Sequence, residues 1–382
     1  LIYVVYILIG VNEYRSVFFI QLFYVVSVLF DVNWFFFGIE KFKLTVVRNS
    51  IIKLASFISI FVFVTEKSDL GIYTFIMSFS TLISQLALIP MLRKFVSLKK
   101  VTISGMKKHV KPMLILFVAV IAANLNRMID KVMIGWTGRM YDLGCYDYAD
   151  RIIRIPLSLI AAFGTVMLSK MSNLVAKNQS KETDRLLDVS ACLILMLSFA
   201  MGFGIAAIAP EFVIWYLGTE YRETTILLLV LAGTIPLVGW NNFVRTQMLI
   251  PKEMDSIYTK AVCAGAIVNI MVNGLLINLM SARGAAIATV VSYFVISFIQ
   301  TISLVKTTKI KDYLSYIMYP MVAGGIMYML VRLTSRITTK MIVSLGVEII
   351  TGMVTYGILM LIYLKIKRPD ILQLLIRGKK KR

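Results

Sequence analysis

Three ionisable residues lie within an otherwise apolar stretch of this chain. The segment NLNRMIDKVMIGW at 124–136 carries Arg127, Asp130 and Lys131, and it closes an apolar run that begins near Pro112. Side chains three and four residues apart project from the same face of an α-helix, so the three charges share one face if the run is helical. The basic side chains could bind an anion, and the carboxylate could hold a proton or a small cation.

Further charges follow in later apolar segments. Asp150, Arg151 and Arg154 open the next run on a similar spacing, and Arg245 lies near the end of another. In these segments together, the two carboxylates Asp130 and Asp150 are outnumbered by five cations: Arg127, Lys131, Arg151, Arg154 and Arg245. Two interpretations stay open: a cationic, water-filled cavity on a solute pathway, or an internal salt bridge that locks two helices together.

Two carboxylates are candidates for coupling an ion to transport. Asp130 belongs to the first group, and Glu348 lies alone in an apolar run near the C-terminus. Moving one elementary charge across a membrane supplies about 2.3 kcal/mol per 100 mV, which could drive a proton or sodium ion through such a site. The simpler interpretation of Asp130 is that it neutralises a neighbouring cation.

The elements that must position these residues are membrane-spanning helices. Of the 382 residues, 59% are hydrophobic, and the mean hydropathy of +0.82 exceeds what a soluble globular domain can bury. A spanning helix needs roughly 20 mainly apolar residues. Eleven such runs occur, at 17–38, 44–64, 71–92, 112–136, 152–172, 186–208, 226–250, 257–280, 284–305, 313–333 and 341–364. The sequence therefore predicts an all-α, polytopic membrane protein.

The chain opens with a shorter apolar piece, LIYVVYILIGV, which ends at Asn12. At about 1.5 Å per residue, it reaches only about halfway across a bilayer. We interpret it as the end of a helix that begins before this chain, and a short re-entrant segment is the alternative.

The distribution of lysine and arginine predicts the orientation. Alternate loops form two sets, of which one holds 24 basic residues and the other 8. Basic residues accumulate in cytoplasmic loops, so the first set and the C-terminus are predicted to be cytoplasmic. The net charge of +21 follows from this asymmetry rather than from nucleic-acid binding. The basic tail at 365–382 is predicted to lie on anionic membrane lipids, or to be a plain stop-transfer signal.

Residues for other chemistry are sparse. Cys145, Cys192 and Cys263 lack the spacing of a metal site, and the single histidine, His109, lies beside lysines in a loop. The sequence has no GxxxxGK[ST] loop for a nucleotide. We predict no catalytic residue, no metal and no cofactor.

Four motifs resemble a known family. The run FDVNWFFFGIEKFK at 30–43 is similar to the D-W-F-F-x-G-x-E-x-F signature of bacterial polysaccharide-unit flippases, the Wzx-type branch of the MOP superfamily. Three further landmarks follow in the order of that family: DKVMIGW at 130–136, DRIIRIPLSLIAAFGTVMLSKMS at 150–172 and RGAAIATVVSY at 283–293. The resemblance extends over essentially the whole chain.

The resemblance implies a MATE-like fold of fourteen helices in two six-helix lobes and a final pair. The chain would begin inside the third helix and contain about eleven complete spans and one partial span. Residues 1–95 would be the rest of the N-terminal lobe, 96–111 a basic cytoplasmic loop, 112–306 the C-terminal lobe, and 307–382 the final pair with its tail.

The resemblance also implies a function that breaks no covalent bond. Such proteins move an undecaprenyl-pyrophosphate-linked oligosaccharide to the outer leaflet of the bacterial plasma membrane for O-antigen, capsule or exopolysaccharide synthesis. Glycan polymerase machinery would be a further partner. The substrate would contact lumen residues, and the candidates are Arg127, Lys131, Arg151, Arg154 and Arg245.

Two other functions remain open. An ion-coupled drug or small-solute antiporter of the same superfamily would share the fold, but a cationic solute favours a lumen dominated by carboxylates. A membrane-embedded glycan polymerase or transferase would need an external loop with acid and base residues. The longest such loop, 209–225, offers Glu211, Glu220 and Glu223 without a paired motif.

Overall fold

The computed structural model describes residues 15–39, 41–96, 128–305, 310–335 and 341–377, together with positions 3, 7 and 308. Every regular element in these ranges is helical. The chain divides into two compact units, Leu1–Pro112 and Met113–Arg382.

The first unit is a small helical bundle. Its helices are α1 Arg15–Ser27, α2 Asn33–Gly38, α3 Phe42–Phe63, α4 Leu70–Leu86 and α5 Ile89–Leu92. Helix α4 packs against both α1 and α3. The turn before α4 is held by Asp69, whose carboxylate accepts the backbone N–H groups of Glu66 and Thr65 at 3.0 Å each. These hydrogen bonds to the charged form lower the pKa of Asp69.

The second unit carries most of the spans. A helix at 128–136, here α6, is followed by α7 Met140–Ala176, α8 Ser180–Leu217, α9 Glu223–Ala232, α10 Thr234–Phe243, α11 Asp255–Met280, α12 Ala282–Leu304, α13 Ile310–Thr334, α14 Met341–Lys367 and α15 Pro369–Arg377. A π-helical turn, Val244–Leu249, follows α10. Helix α8 contacts α7, which precedes it, and α9, α10, α13 and α14, which follow it.

The polytopic, all-α prediction is confirmed. Within the described ranges, ten helical segments are long and apolar enough to cross a membrane, and they coincide with ten of the eleven predicted runs. The remaining predicted run, 112–136, is described only from residue 128 onward. The opening piece at 1–11 also lies outside the described residues, apart from positions 3 and 7.

The second unit has an apolar core and an apolar outer surface. Leu195, Leu227 and Phe243 are fully or almost fully buried in one contiguous cluster. On the outside, Leu275 and Leu279 remain 70% and 79% exposed. Lipid chains rather than water can cover such a surface, so exposed leucine carries no penalty here. The exposed band is therefore consistent with the predicted spans.

Two helices are longer than the apolar runs that predicted them. Segments 137–151, 173–185 and 209–225 were expected to be loops, yet α7 begins at Met140 and α8 extends from Ser180 to Leu217. At 37 and 38 residues, these helices are about 55 Å long, well beyond the ~30 Å hydrocarbon core. Hydropathy marks only the part of a helix that lies in lipid, and charged turns can continue the same helix into the interface.

The C-terminal helix α15 packs on protein with part of its apolar face. Ile371 is fully buried beside Cys192, Tyr363 and Leu364. Arg368, just before α15, is hydrogen-bonded and paired with Asp188 of α8. The start of α15 is therefore held against α8 and α14 by buried contacts, and contact of the tail with anionic lipid stays a prediction.

Candidate functional site

The charged residues of α6 and α7 meet in a ladder of ion pairs. Lys131 Nζ lies 2.6 Å from Asp147 Oδ1 and 2.7 Å from Asp150 Oδ2. Arg151 pairs with Asp147, and Arg154 pairs with Asp150, each at 2.7 Å and each four residues apart on α7. We call these five residues the charge ladder. Three cations share two carboxylates, which leaves a formal charge of one positive unit.

The ladder corrects the count on which the cationic cavity was predicted. Asp147 was placed in a loop and omitted, but α7 already includes it and turns it towards Lys131. The internal salt bridge between the two helices is therefore present. The ion pairs engage only part of each arginine, since the side chains of Arg151 and Arg154 remain 68% and 50% exposed. Their free N–H donors can bind an anion.

Asp130 lies close to the ladder in sequence but has different partners. Its carboxylate accepts hydrogen bonds from Tyr146 Oη at 2.8 Å, Thr289 Oγ1 at 2.8 Å and Asn273 Nδ2 at 2.5 Å. Asp130 is only 4% exposed. Within the described ranges these donors are all neutral, so neutralisation of a cation, the simpler interpretation, is not seen there.

An oxygen-rich pocket surrounds Asp130. Asn269 and Asn273, one turn apart on α11, are almost fully buried, and Asn273 Nδ2 also contacts Asn269 Oδ1 at 3.1 Å. Asn273 Oδ1 is buried without a hydrogen-bond partner in the described part of the chain. One carboxylate with amide and hydroxyl oxygens can hold a proton or a monovalent cation. The described residues contain no group of three or more His, Cys, Asp or Glu that could hold a metal ion.

A cavity of about 300 Å³ connects this pocket with the ladder. Asp130, Asp150 and Arg154 all line it, so the structure brings these three predicted residues to one space. The remaining polar wall comes from α7, α10, α11 and α12, with Ser158, Thr234, Asn269, Thr289, Ser292 and Tyr293. Such a wall suits water and sugar hydroxyls.

The other four predicted residues that the structure describes do not line this cavity: Lys131 and Arg151 belong to the charge ladder beside it, and Arg245 and Glu348 lie elsewhere. Arg245 is in the π-helical turn, where its guanidinium stacks on Tyr258 with 5.3 Å to the ring centre. Glu348 lines a second cavity of about 540 Å³, which is almost entirely apolar. Glu348 is fully buried and accepts a hydrogen bond from Ser344 at 2.9 Å, while its Oε2 has no partner in the described ranges.

Arg127 lies outside the described residues. Its assignment to a lumen is therefore a prediction from the sequence alone.

The first unit contains a buried arginine that the sequence did not single out. Arg48 is 9% exposed, and it donates to Ser84 O at 2.7 Å, Asn33 Oδ1 at 2.9 Å and Asn49 Oδ1 at 2.7 Å. Asn33 in turn donates to Asp31 at 2.7 Å. This network ties α2, α3 and α4 together. The sequence feature that could have revealed Arg48 is that it is the single arginine within the apolar run 44–64.

The polar residues around Asp130 were also missed. Asn269 and Asn273 are spaced i, i+4 within an apolar run, and that spacing was visible in the sequence. Thr289 gave no signal, because a single threonine in a membrane helix is common and often bonds to its own backbone.

Known proteins resemble this chain in sequence and fold. Residues 1–175 match the family of polysaccharide biosynthesis proteins. A protein of Shigella dysenteriae named as an O-antigen transporter is 22% identical over 285 residues, which cover 73% of this chain and 70% of that protein. A protein of Haloferax volcanii named as a low-salt glycan biosynthesis flippase is 23% identical over 240 residues, and the match spans about half of its length.

A solved structure shares the fold. The lipid II flippase MurJ, in an inward closed conformation, superimposes with a TM-score of 0.72. The match covers 92% of this chain and 73% of MurJ, at 18% sequence identity.

Proposed function

We propose that this chain moves lipid-linked oligosaccharide units across a membrane. The family match, the relatives and the shared fold support a Wzx-type flippase of the MOP superfamily. The substrate would be a polyprenyl-pyrophosphate-linked oligosaccharide for a surface polysaccharide. Movement would run from the cytoplasmic to the outer leaflet of the bacterial plasma membrane, with the C-terminus in the cytoplasm. No covalent bond would change, so the chain would not act as an enzyme.

The observation that carries this proposal is the polar cavity beside the charge ladder. Sugar hydroxyls and phosphates cannot cross hydrocarbon unaccompanied, since each unpaired polar group costs several kcal/mol there. The cavity supplies hydroxyl, amide and charged partners inside an apolar bundle. The lipid tail needs no such partners and can stay in the bilayer.

Arg151 and Arg154 are the proposed anion contacts. Each is anchored by one carboxylate through part of its guanidinium, and each keeps an exposed remainder. A planar guanidinium can donate two parallel hydrogen bonds to a phosphate or to an acidic sugar. Lys131 would act differently, since both of its contacts hold the helices together. Arg127, one turn before Lys131 on the same predicted face, is proposed as a further contact.

Ion coupling is proposed at Asp130. Its burial among neutral donors would make binding of a proton or monovalent cation sensitive to small movements of α6, α11 and α12. Binding there would then favour one conformation of the second unit over another. Glu348 is the weaker candidate, since the cavity beside it offers few polar atoms.

The acidic residues of the predicted external loop, 209–225, give little support to the enzyme alternative. Glu211 pairs with Arg332 at 2.6 Å, and Glu223 pairs with Arg283. Both carboxylates are therefore engaged by arginines on other helices, an arrangement typical of structural ion pairs. An antiporter for a cationic solute would need a carboxylate-dominated lumen. The charged lining of this cavity is Asp130, Asp150 and Arg154, so it does not separate the two kinds of transporter, and the flippase is favoured by the relatives.

Deletion of the gene tests the proposed function. Lipid-linked oligosaccharide units should accumulate on the cytoplasmic leaflet and surface polysaccharide should fall, because the units are made on one side and assembled on the other. The intact gene restored in trans should reverse both changes. An unchanged distribution of lipid-linked units between the leaflets would overturn the proposal.

A further inference from the structure

Helix α12 carries a column of polar side chains on the half of its surface that packs on other helices. Its members are Thr289, Ser292, Ser297 and the adjacent pair Gln300 and Thr301. At about 1.5 Å per residue, the column is about 18 Å long, more than half of the hydrocarbon core. A polar stripe of this length in a lipid-embedded helix must face protein or water.

The neighbouring helices meet this column with polar groups. Thr289 binds Asp130 at the near end. Ser292 donates to the backbone oxygen of Gly265 on α11 at 2.8 Å. Further along, α10 supplies both Asn241 Oδ1, which accepts from Ser297 at 2.7 Å, and Trp240, which donates to Thr301 at 2.8 Å. The polar contacts therefore continue from Asp130 through the interior of the second unit.

The far end of the column contains a buried amide without a protein partner in the described ranges. Gln300 is fully buried, and neither its Oε1 nor its Nε2 has a hydrogen-bond partner within the described chain. Asn242 Oδ1, which faces Gly164 of α7, and Gln247 Nε2, whose amide oxygen accepts from Ser190 of α8, are also buried and unpaired in the same ranges but belong to other contacts of the bundle. Two unpaired amide atoms on one fully buried side chain are unusual, because buried polar groups are almost always hydrogen-bonded to protein or to ordered water.

Ordinary helix packing accounts for the hydroxyls but not for the amide. The hydroxyls of Thr289, Ser297 and Thr301 each lie 2.7 to 3.0 Å from a backbone oxygen four residues earlier, and Thr289 and Ser297 each share their single proton between that oxygen and Asp130 or Asn241. Serine and threonine commonly do this in membrane helices, so their presence alone indicates no path. Gln300 makes no such bond, and its two amide atoms call for partners that the surrounding helices do not supply.

We infer that this column is a hydrated path for a small monovalent cation, either a proton or a sodium ion. It would lead from the Asp130 pocket along α12 to the Gln300 amide. Water would bridge the unpaired amide atoms, and neutral hydroxyl and amide oxygens would pass the cation without trapping it. The inference rests on the proposed ion coupling at Asp130, and it adds the route by which the ion reaches that site.

Cation uptake into liposomes tests the path. The chain is reconstituted, a negative-inside potential is applied, and uptake is followed by radioactive sodium in one arm and by an internal pH dye in the other. Wild type should take up one of the two cations. Gln300→Leu should lower that uptake at least tenfold, because it replaces the amide by an apolar group of similar size. Ser303→Ala, which alters an exposed hydroxyl of the same helix, should leave uptake unchanged.

Flipping without a gradient separates this inference from the proposed function. Gln300→Leu should still equilibrate lipid-linked oligosaccharide across the liposome membrane within twofold of the wild-type rate. Wild-type uptake of neither cation, or undiminished uptake by Gln300→Leu, would overturn the path while leaving flipping intact. Failure of wild type to equilibrate the lipid would instead count against the proposed function.

Cysteine accessibility gives a second, independent readout. In a cysteine-free background, Gln300→Cys should react with silver ion, because a hydrated path admits a small cation. Phe294→Cys, on the 57% exposed apolar side of the same helix, should not react. This measurement needs only correct folding, so it also decides the matter if Gln300→Leu folds poorly. Equal lack of reaction at both positions would overturn the path.

Discussion

Lys131 is the side chain that joins α6 to α7. It is 21% exposed and contacts two carboxylates whose other ion pairs, within the part of the chain that the structure describes, are with arginines of their own helix. Without it, Asp147 and Asp150 would lie one turn apart on the same face with no cation between them. We therefore propose that Lys131 is structural first, and that the exposed arginines are the contacts for an anion.

Replacement of Lys131 should lower stability. Lys131→Met keeps the aliphatic stem and removes the charge, and we expect a loss of about 1–2 kcal/mol in the free energy of unfolding, since the pairs are only partly buried. Thermal unfolding in lipid nanodiscs would measure it. Lys170→Met, at an exposed position of α7, is the matched control and should change stability little.

Replacement of Arg154 should affect export more than stability. Hydrogen bonds to a charged group contribute about 1.5–3 kcal/mol, so Arg154→Ala should reduce export roughly 10- to 100-fold at normal protein level. Arg154→Lys should restore only part of it, because it retains charge without the two-pronged geometry. Surface polysaccharide in a deletion strain is the measurement.

The double variant Arg154→Ala with Asp150→Asn separates binding from packing. If Arg154 only balances Asp150, neutralising both should recover export. Continued loss with normal insertion supports contact with the substrate.

Close helix packing sets the geometry of the pocket around Asp130. Helices α11 and α12 form an antiparallel pair that brings Asn273 and Thr289 to the same carboxylate. At the turn between them, a Cβ built on Gly284 would lie 2.5 Å from the backbone oxygen of Leu276. Small residues at such crossings allow membrane helices to approach closely.

Gly284→Ala should therefore widen the α11–α12 pair. The clash is with backbone, which cannot move aside cheaply, so we expect a loss of about 1–3 kcal/mol in stability and weaker cation binding. Gly274→Ala on α11 is the control, since no atom lies within 4 Å of its built Cβ. The control should be neutral or slightly stabilising, because alanine favours helix. Equal melting temperatures for both variants would contradict the argument.

The molecule as a whole carries its basic residues asymmetrically. The 24-to-8 distribution between alternate loops predicts that the loop before α13 is cytoplasmic and the turn after α8 is external. The same asymmetry would direct an anionic headgroup from the side on which it is synthesised.

Cysteine labelling tests this orientation. In a cysteine-free background, Thr219→Cys should react with an impermeant thiol reagent in intact cells, and Lys311→Cys should react only after the cells are opened. Both positions are exposed, so accessibility within the protein does not limit the reaction. Labelling of Lys311→Cys from outside would reverse the topology and with it the proposed direction of transport.

The sequence by itself determined the membrane-spanning elements. A bilayer sets the length of an apolar helix, so hydropathy alone located ten spans that the structure describes. The sequence also placed charges on shared helical faces, because that depends only on the helical repeat. It misjudged Asp147, since hydropathy does not distinguish a loop from the charged end of a long helix.

Only the tertiary structure decided which of these charges act together. Asp130 meets Thr289, 159 residues away, because α6, α11 and α12 are rotated so that one face of each points inward. Arg245 is instead held by Tyr258, and Glu348 lies in an apolar cavity, although all had seemed equivalent as ionisable residues in apolar runs. A side chain's position along its own helix follows from local sequence. Its partners depend on how separate helices turn and pack, and that is settled by the packing energy of the whole bundle.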